Sequence, residues 1–499
     1  MSTVKTKNIA NNSSRETEKS CREVALEILC RVEEEKAYAK ILLDYALRRG
    51  NFNDRNRSLL TELVYGTLKW RQQLDWIIKQ SSSRKLSRLS LDIRNILRLG
   101  AYQIIHLDRV PVWAAVNESA ELARKYSSPG RVKLVNALLR NLVRKKDEIT
   151  YPELGKEPVE HIAIKYSHPQ WVVSRWIEML GVEETLKLCE SDNQVPPLSI
   201  RVNTLKISQE ELESWLRREE IEVERSAVVP DGLRIQDYPS LTSLEAFKKG
   251  WFQVQDESSI LVGHLVAPRT GDTVIDACSA PGGKTTHLAA LMGNQGKIIA
   301  LDIYPHKLKL VDSTCQRLGI TIVETKLSNA QQSNPEFKET ADRVLVDVPC
   351  SGLGVFRRRA DARWNIDSQK VPLLSALQLE ILENVSSWVK PQGILIYSTC
   401  TIEPRENQEV VTKFLNKHPE FLLENVEPYL PEVLPHLGDS QTFADKENVL
   451  IPKDIFRDQV IRFRNLIRNA IQDDMLQTYP HRHGIDGFFI ARLRRSRLF

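Results

Sequence analysis

The sequence predicts three structural parts in succession: an all-helical bundle, a small α+β module, and an open α/β sheet of mostly parallel strands flanked by helices. Three observations predict them. From Cys21 to about Ile149, apolar residues recur at i, i+3 and i+4 without β-type alternation. Between about 197 and 236, strand-like and helix-like stretches alternate. From Thr273 onward, β-branched runs break at turn residues and pass into Ala- and Leu-rich helical sequence, the pattern of parallel strands joined by helical crossovers. At 499 residues, 41% of them hydrophobic and 27% charged, the chain has a globular composition and the length of about two to four domains.

Residues 1–19 are rich in Ser, Asn, Thr, Lys and Glu and are expected to form a disordered tail. They hold no apolar signal core, and nowhere do eighteen apolar residues follow one another, so neither secretion nor a membrane span is expected. Residues 20–150 supply the bundle. Apolar stripes begin at Val24, Leu59, Ile96 and Val135, enough for five to seven helices, and Pro111 is placed for the first turn of one of them. Residues 1–150 carry 29 Lys and Arg against 17 Asp and Glu, in a chain whose net charge is only +5. That asymmetry fits either a polyanionic partner or a solvated charged surface. Residues 151–249 read as short helices over 157–195, a strand from Pro197 to Leu205, a helix capped by Ser208 and running to Arg218, and strands at Val223–Ser226 and Leu233–Gln236. Residues 250–499 hold the α/β sheet, with polar and charged residues 428–475 inserted before a closing strand at Phe488-Phe489.

The last part is arranged around Asp276-Ala277-Cys278-Ser279-Ala280-Pro281-Gly282-Gly283-Lys284, where a strand ends, a tight turn follows and a helix begins. Ligands of open α/β sheets lie beyond such strand ends, and glycine lets backbone amides approach them. A phosphate-binding loop would need glycine where Cys278 stands, and no Gly-x-Gly-x-x-Gly occurs, so an ATPase or dehydrogenase is disfavoured. The next apolar run ends in Asp302, placed either to accept from the ribose hydroxyls of an adenosyl group or to cap the following helix. Two more runs stop in reactive residues, one in Asp347-Val348-Pro349-Cys350 and one in Ser398-Thr399-Cys400. Parallel strands present their ends on one rim, so Asp347, Cys350 and Cys400 converge on the loop. Among the other thiols, Cys21, Cys30, Cys189 and Cys315 sit in apolar helical surroundings and read as core, while Cys278 lines the loop. No Cys-x-x-Cys or Cys/His cluster has ligand spacing, so no metal is expected, and scattered thiols fit a reducing cytoplasm.

Pro281-Gly282-Gly283-Lys284, Asp347-Val348-Pro349-Cys350-Ser351-Gly352 and Ser398-Thr399-Cys400-Thr401 together resemble the RNA cytosine-C5 methyltransferase family. The resemblance implies S-adenosylmethionine as cofactor and a Rossmann-like class I methyltransferase domain with a seven-stranded, mostly parallel sheet. It also implies Cys400 as nucleophile and Cys350 as the thiol that assists release; swapped roles, as in DNA cytosine methyltransferases, are the alternative. Such chemistry needs a thiolate because cytosine C5 is a poor nucleophile until a covalent adduct at C6 makes it enamine-like. Lys284 and Asp347 join the cysteines in catalysis. Cofactor contacts are expected from Cys278, Ser279, Ala280, Pro281, Gly282, Gly283, Lys284, Asp302, Asn329 and Asp347, with Asn329 standing where the family has an acid for the adenine amine.

The order Tyr65-Gly66-Thr67, Leu99-Gly100-Ala101-Tyr102-Gln103, Ala114-Ala115-Val116-Asn117-Glu118 and Val135-Asn136 resembles the helical RNA-binding domain of the antitermination factor NusB. This extension marks the bacterial 16S rRNA subgroup, RsmB or Sun. Arg201 and Asn203 are similar to the Arg-x-Asn of the family's compact RNA-recognition-like unit; a purely structural spacer is the alternative for 151–249. Arg357-Arg358-Arg359, directly after Pro-Cys, suits a phosphate backbone, and Gln255 and Asp256 are candidates to flank the substrate pocket. The expected function is methylation of C5 of one cytosine of 16S rRNA, usually position 967 in the family, by a cytoplasmic monomer. The same chemistry on tRNA or another RNA, and a non-catalytic RNA-binding or antitermination-type factor, are the alternatives.

Overall fold

The structure, a computed structural model, describes residues 19–82, 86–236, 238, 240–432 and 465–497. The expected disordered tail thus lies outside the described residues up to residue 18, as does the stretch 433–464 of the expected insertion. The chain divides into two compact units, Met1–Gln170 and Trp171–Phe499.

The first unit is helical, as its periodicity requires. It contains α1 (Cys21–Glu34), α2 (Ala39–Arg49), α3 (Asp54–Lys69), α4 (Arg71–Gln80), α5 (Leu91–His106), α6 (Val112–Tyr126), α7 (Pro129–Lys145) and α8 (Pro158–Lys165). Helix α5 is the axis, buried almost continuously from Ile93 to Ile104. Its Arg98 is buried too, because Asp75 takes the guanidinium with both oxygens at 2.7 Å and Glu33 accepts a third bond at 2.7 Å. Pro111 stands one position earlier than expected: it is the N-cap of α6, where an extended ψ of 132° suits a ring-locked φ of −58°.

In the second unit, α9 (Gln170–Leu180) and α10 (Val182–Asn193) precede a four-stranded antiparallel sheet. Its order is β2 (Glu222–Arg225), β3 (Gly232–Gln236), β1 (Leu198–Val202), β4 (Phe252–Val254), with α11 (Gln209–Arg218) packing Leu212 and Leu216 against Ile200, Leu233 and Phe252. Ser208 caps α11 in a reciprocal box with Glu211. Strand β4 pairs with β1, so this sheet runs past residue 249; three residues with one buried Phe offer no alternation to read. Helix α12 (Glu245–Lys248) leads into β4.

The large sheet follows the order β11 (Ile471–Gln472), β12 (Met475–Gln477), β13 (Phe489–Arg495), β9 (Val389–Thr399), β8 (Ala341–Asp347), β5 (Thr273–Asp276), β6 (Lys297–Asp302), β7 (Val323–Leu327), with β10 (Phe421–Glu424) also on β13. Strands β9, β8, β5, β6 and β7 are parallel, and β13 is antiparallel to β9. The expected seven strands are those six and β10; the β11–β12 hairpin, beside β10 on the same edge of β13, brings the total to nine. Alternation along each strand fills two cores. Val274 and Ile298 face α13 (Glu257–Val266), α14 (Gly283–Leu291) and α15 (Pro305–Leu318), while Ile275 and Val344 face α17 (Lys370–Ser386) and α18 (Gln408–Lys417). The short α16 (Ala362–Asn365) lies in the crossover between β8 and α17. Among the described residues, no helix is long and apolar enough to cross a membrane.

Asn203, just after β1, fastens the small sheet to α15. Its buried Nδ2 donates to Gly250 O at 2.8 Å and to Leu318 O at 2.9 Å. Asn203→Leu fills the space but leaves both buried carbonyls unpaired, so it should cost on the order of 2–4 kcal/mol and lower the calorimetric unfolding temperature of this unit.

Candidate active site

The parallel register of β8 and β9 sets Asp347 beside Ser398. Ser398 Oγ donates to Asp347 Oδ1 at 2.9 Å, and Lys284 Nζ, from the first turn of α14, donates to Oδ2 at 2.7 Å. Lys284 also lies 5.1 Å over the ring of Phe488. Just past the two strand ends, Cys350 Sγ and Cys400 Sγ are 3.2 Å apart, both half-buried.

The two thiols are not equivalent. A hydrogen bond from Cys350 draws the Cys400 thiol below its ordinary range, aided by the charges of Arg359 and Lys284 and opposed by burial and Asp347. The same bond, with burial and the carboxylate of Glu406, holds Cys350 well above its ordinary range. The surroundings thus favour a negative charge on Cys400 over one on Cys350. Residues that sequence reasoning missed hold these loops. Glu406 Oε2 accepts from Ser351 N and from Gln378 Nε2, both at 2.8 Å, and Gln378 also donates to Pro349 O at 2.9 Å. Asn407 accepts from Thr399 Oγ1 at 2.6 Å and donates to Thr401 O at 3.0 Å. Ser398 was signalled by standing two residues before Cys400, on the same side of the strand; Phe488 was signalled only as part of the closing strand, and Gln378 had no local signal.

The loop from Ala277 to Gly283 joins β5 to α14. Gly282 adopts φ +100°, and a Cβ there would stand 3.2 Å from Val311 Cα in α15, so only glycine suits this turn. Ser279 is spent on structure: its N and Oγ donate to Leu301 O at 2.8 and 2.9 Å, pinning the loop to β6. Ala280 is partly buried and Pro281 exposed. Burial raises the thiol of half-buried Cys278. Asp276 is buried, with Oδ2 accepting from Thr285 Oγ1 at 2.7 Å and Oδ1 lacking any hydrogen bond; burial lifts its carboxyl to about 7. Asp302 ends β6, and its Oδ1 accepts from Tyr304 N at 2.9 Å; Tyr304, not Asp302, is the N-cap of α15. Asn329 accepts from Gln331 N at 3.0 Å and lines a groove of about 520 Å³ with Ile303, Leu327, Ser328 and Gln332. A groove beyond β6 and β7, lined by Ile303 next to the strand-end acid Asp302 and by the amide of Asn329, fits a ligand carrying hydroxyl and amine donors.

The arginine run is corrected by the structure. Arg357 and Arg358 do not face outward: Asp486 takes Arg357 Nε at 2.5 Å and Arg358 Nε at 2.8 Å, and Asp256 takes Arg358 Nη2 at 2.6 Å. Asp256 is therefore an anchor and the N-cap of α13, and only Arg359 of the three is exposed.

The 16S rRNA methyltransferase RsmB/F family matches residues 263–494, the Methyltr_RsmF/B-like ferredoxin-like domain 168–242 and the NusB family 19–144. The "Probable ribosomal RNA small subunit methyltransferase B" of Bacillus subtilis is 34% identical over 479 residues, 96% of this chain and 99% of its own. Its namesake from Synechocystis is 34% identical over 485 residues, 96% and 100% of the two chains. The chain belongs to the RsmB/F family of ribosomal RNA methyltransferases. Its reaction is a methyl transfer that depends on S-adenosylmethionine. Among solved structures, PH0851 superposes with a TM-score of 0.74 at 29% identity, covering 95% of this chain and 99% of its own. A methyltransferase homologue from Pyrococcus horikoshii superposes with a TM-score of 0.53 at 26% identity over 68% of this RsmB/F chain and 99% of its own.

Two predictions follow from the charges. Iodoacetamide at neutral pH should alkylate Cys400 before Cys350, as read by peptide mass spectrometry, and Arg359→Gln should slow Cys400 alkylation. With the carboxyl of Asp276 raised from 3.8 to about 7, the native state keeps a proton that the unfolded chain has released. Its contribution to stability is thus greatest below about pH 4 and is lost as pH rises to about 7. Asp276→Asn should flatten that part of the stability profile in denaturant titrations across pH.

Proposed function

We propose that this RsmB/F enzyme methylates C5 of a cytosine in 16S rRNA, position 967 being usual for the family, through a covalent adduct between Cys400 and C6. The observation that carries the reading is the thiol pair at 3.2 Å, with opposite shifts, on the rim that holds Asp347. S-adenosylmethionine supplies the electrophilic methyl group; the residues Cys278, Gly282, Gly283, Asp302 and Asn329 are the ones to hold it. Cys400 attacks C6 as thiolate, and the C5–C6 π electrons move into the ring, leaving C5 enamine-like. Asp347, immobilised by Ser398 and Lys284, accepts from the exocyclic amine and, once N3 takes up a proton as the thiolate adds, from N3–H as well. After transfer, a water at the rim takes the C5 proton, the C5–H electron pair re-forms the C5=C6 bond and the C6–S bond breaks, so that Cys400 departs as a thiolate to which the S–H of Cys350 is placed to donate. Because the base is attacked from its face, the nucleotide must be unstacked or flipped. Arg359, exposed at the rim, is available for a phosphate, and the basic helical unit adds sequence-independent contacts.

Bisulfite mapping of ribosomal and transfer RNA from cells with and without the gene tests substrate and chemistry together. Loss of 5-methylcytosine at one 16S rRNA position is expected; loss in tRNA instead would reassign the substrate, and no loss anywhere would remove the activity. In the purified enzyme, Cys400→Ala should abolish methylation, whereas Cys350→Ala should accumulate a protein–RNA adduct stable to denaturing gels. An adduct from Cys400→Ala alone would reverse the two roles.

A further inference from the structure

Three donor groups far apart in the chain meet outside the active site. Asp231 precedes β3, His264 lies on α13 and His287 on α14. His264 Nε2 is 2.9 Å from Asp231 Oδ1, His287 Nε2 is 2.9 Å from Asp231 Oδ2, and one ligand atom from each residue falls within 4.8 Å of the other two. The imidazole of His287 is only 1% exposed, yet neither of its nitrogens makes a hydrogen bond: the Nε2–Asp231 approach has ion-pair distance without hydrogen-bond alignment. Its ring is pressed onto α13 at Gly263, where a Cβ would fall 2.2 Å from Nδ1, so Nδ1 is blocked and Nε2 faces the cluster. One carboxylate set between two imidazole Nε2 atoms brings three metal-ligand atoms to one point.

We propose that Asp231, His264 and His287 form a binding site for one nitrogen-preferring dication of the zinc class, with His264 and His287 binding through Nε2 and Asp231 through one carboxylate oxygen. Tetrahedral zinc, at about 2.0–2.1 Å from each ligand, sets donor atoms about 3.3 Å apart, which shifts of under about 1 Å would reach here. Two imidazoles and one carboxylate select zinc, nickel or cobalt over magnesium or calcium, which take all-oxygen sites. The ion would fasten the small sheet, through Asp231, to α14, the helix that begins at the cofactor loop.

The test uses the full-length protein, stripped with a chelator and then given zinc chloride. After gel filtration, elemental analysis should find about one zinc per chain, the thermal transition should rise, and cobalt(II) should give the intense visible bands of four-coordinate nitrogen and oxygen ligation. His264→Gln, which keeps a donor for Asp231, and Asp231→Asn should both lose the metal. Retention of less than a tenth of an equivalent by the wild-type protein, or full retention by His264→Gln, would overturn the proposal. So would loss of zinc from a Cys350→Ser/Cys400→Ser variant, since that would place the ion on the thiol pair.

Discussion

The carboxylate of Asp347 is the fixed point of the catalytic unit. Ser398 reaches it from the neighbouring parallel strand and Lys284 from the helix after the cofactor loop, so one side chain locks β8, β9 and α14 together. Because Asp347 and Ser398 are register partners, the chain positions beyond them are no longer free. Cys350 lies three residues past Asp347 and Cys400 two past Ser398, and the extra residue is absorbed by the turn at Pro349. A slip of one residue between β8 and β9 would turn one of the two thiols to the opposite face. The 3.2 Å separation is therefore a consequence of strand pairing, and the surroundings of the two thiols differ: positive charge near Cys400, Glu406 near Cys350.

The three consecutive arginines show how burial divides residues of one type. Two are drawn inward by Asp256 and Asp486, three of whose oxygens accept from the guanidinium groups, with Arg358 bridging the two carboxylates as the single ammonium of a lysine could not in this geometry. A buried pair of this kind adds little net stability, but loss of one partner leaves a charge without compensation, so its effect is to specify one loop conformation. Glu406 and Gln378 brace the same loop from the other end. The loop that carries Cys350 is thus held at both ends, and the remaining arginine, Arg359, is left to act on Cys400 and on whatever approaches the rim.

What was legible in the sequence was what is local. The strand, turn and helix around Gly282, the acids and thiols at strand ends and the capping box at Ser208 are each encoded within a few residues, and the structure places them as their patterns require. Strand β4 was not legible, because three residues paired to β1 carry no period. Nor was the fate of Arg357 and Arg358, whose partners lie about a hundred residues or more away in sequence. The meeting of Asp231, His264 and His287 was hidden for the same reason: spacing rules read groups on one helix or knuckle, whereas these come from three separate elements.

Those distant partners share a location. Arg201 donates from β1 to Gly283 O at 3.0 Å and to Thr286 Oγ1 at 3.2 Å, Asn203 donates to Leu318 O, and Asp231 meets His287. Each joins the small sheet to α14 or α15, the helices that flank the cofactor loop. Buried polar links are costly to break singly and leave little freedom for sliding, so the small sheet is part of the catalytic unit's framework and not a tethered appendage. Arg201 in particular holds the first turn of α14, the turn from which Lys284 reaches Asp347, so the small sheet, the cofactor loop's helix and the end of β8 are linked through successive buried or half-buried contacts and their relative positions are set together.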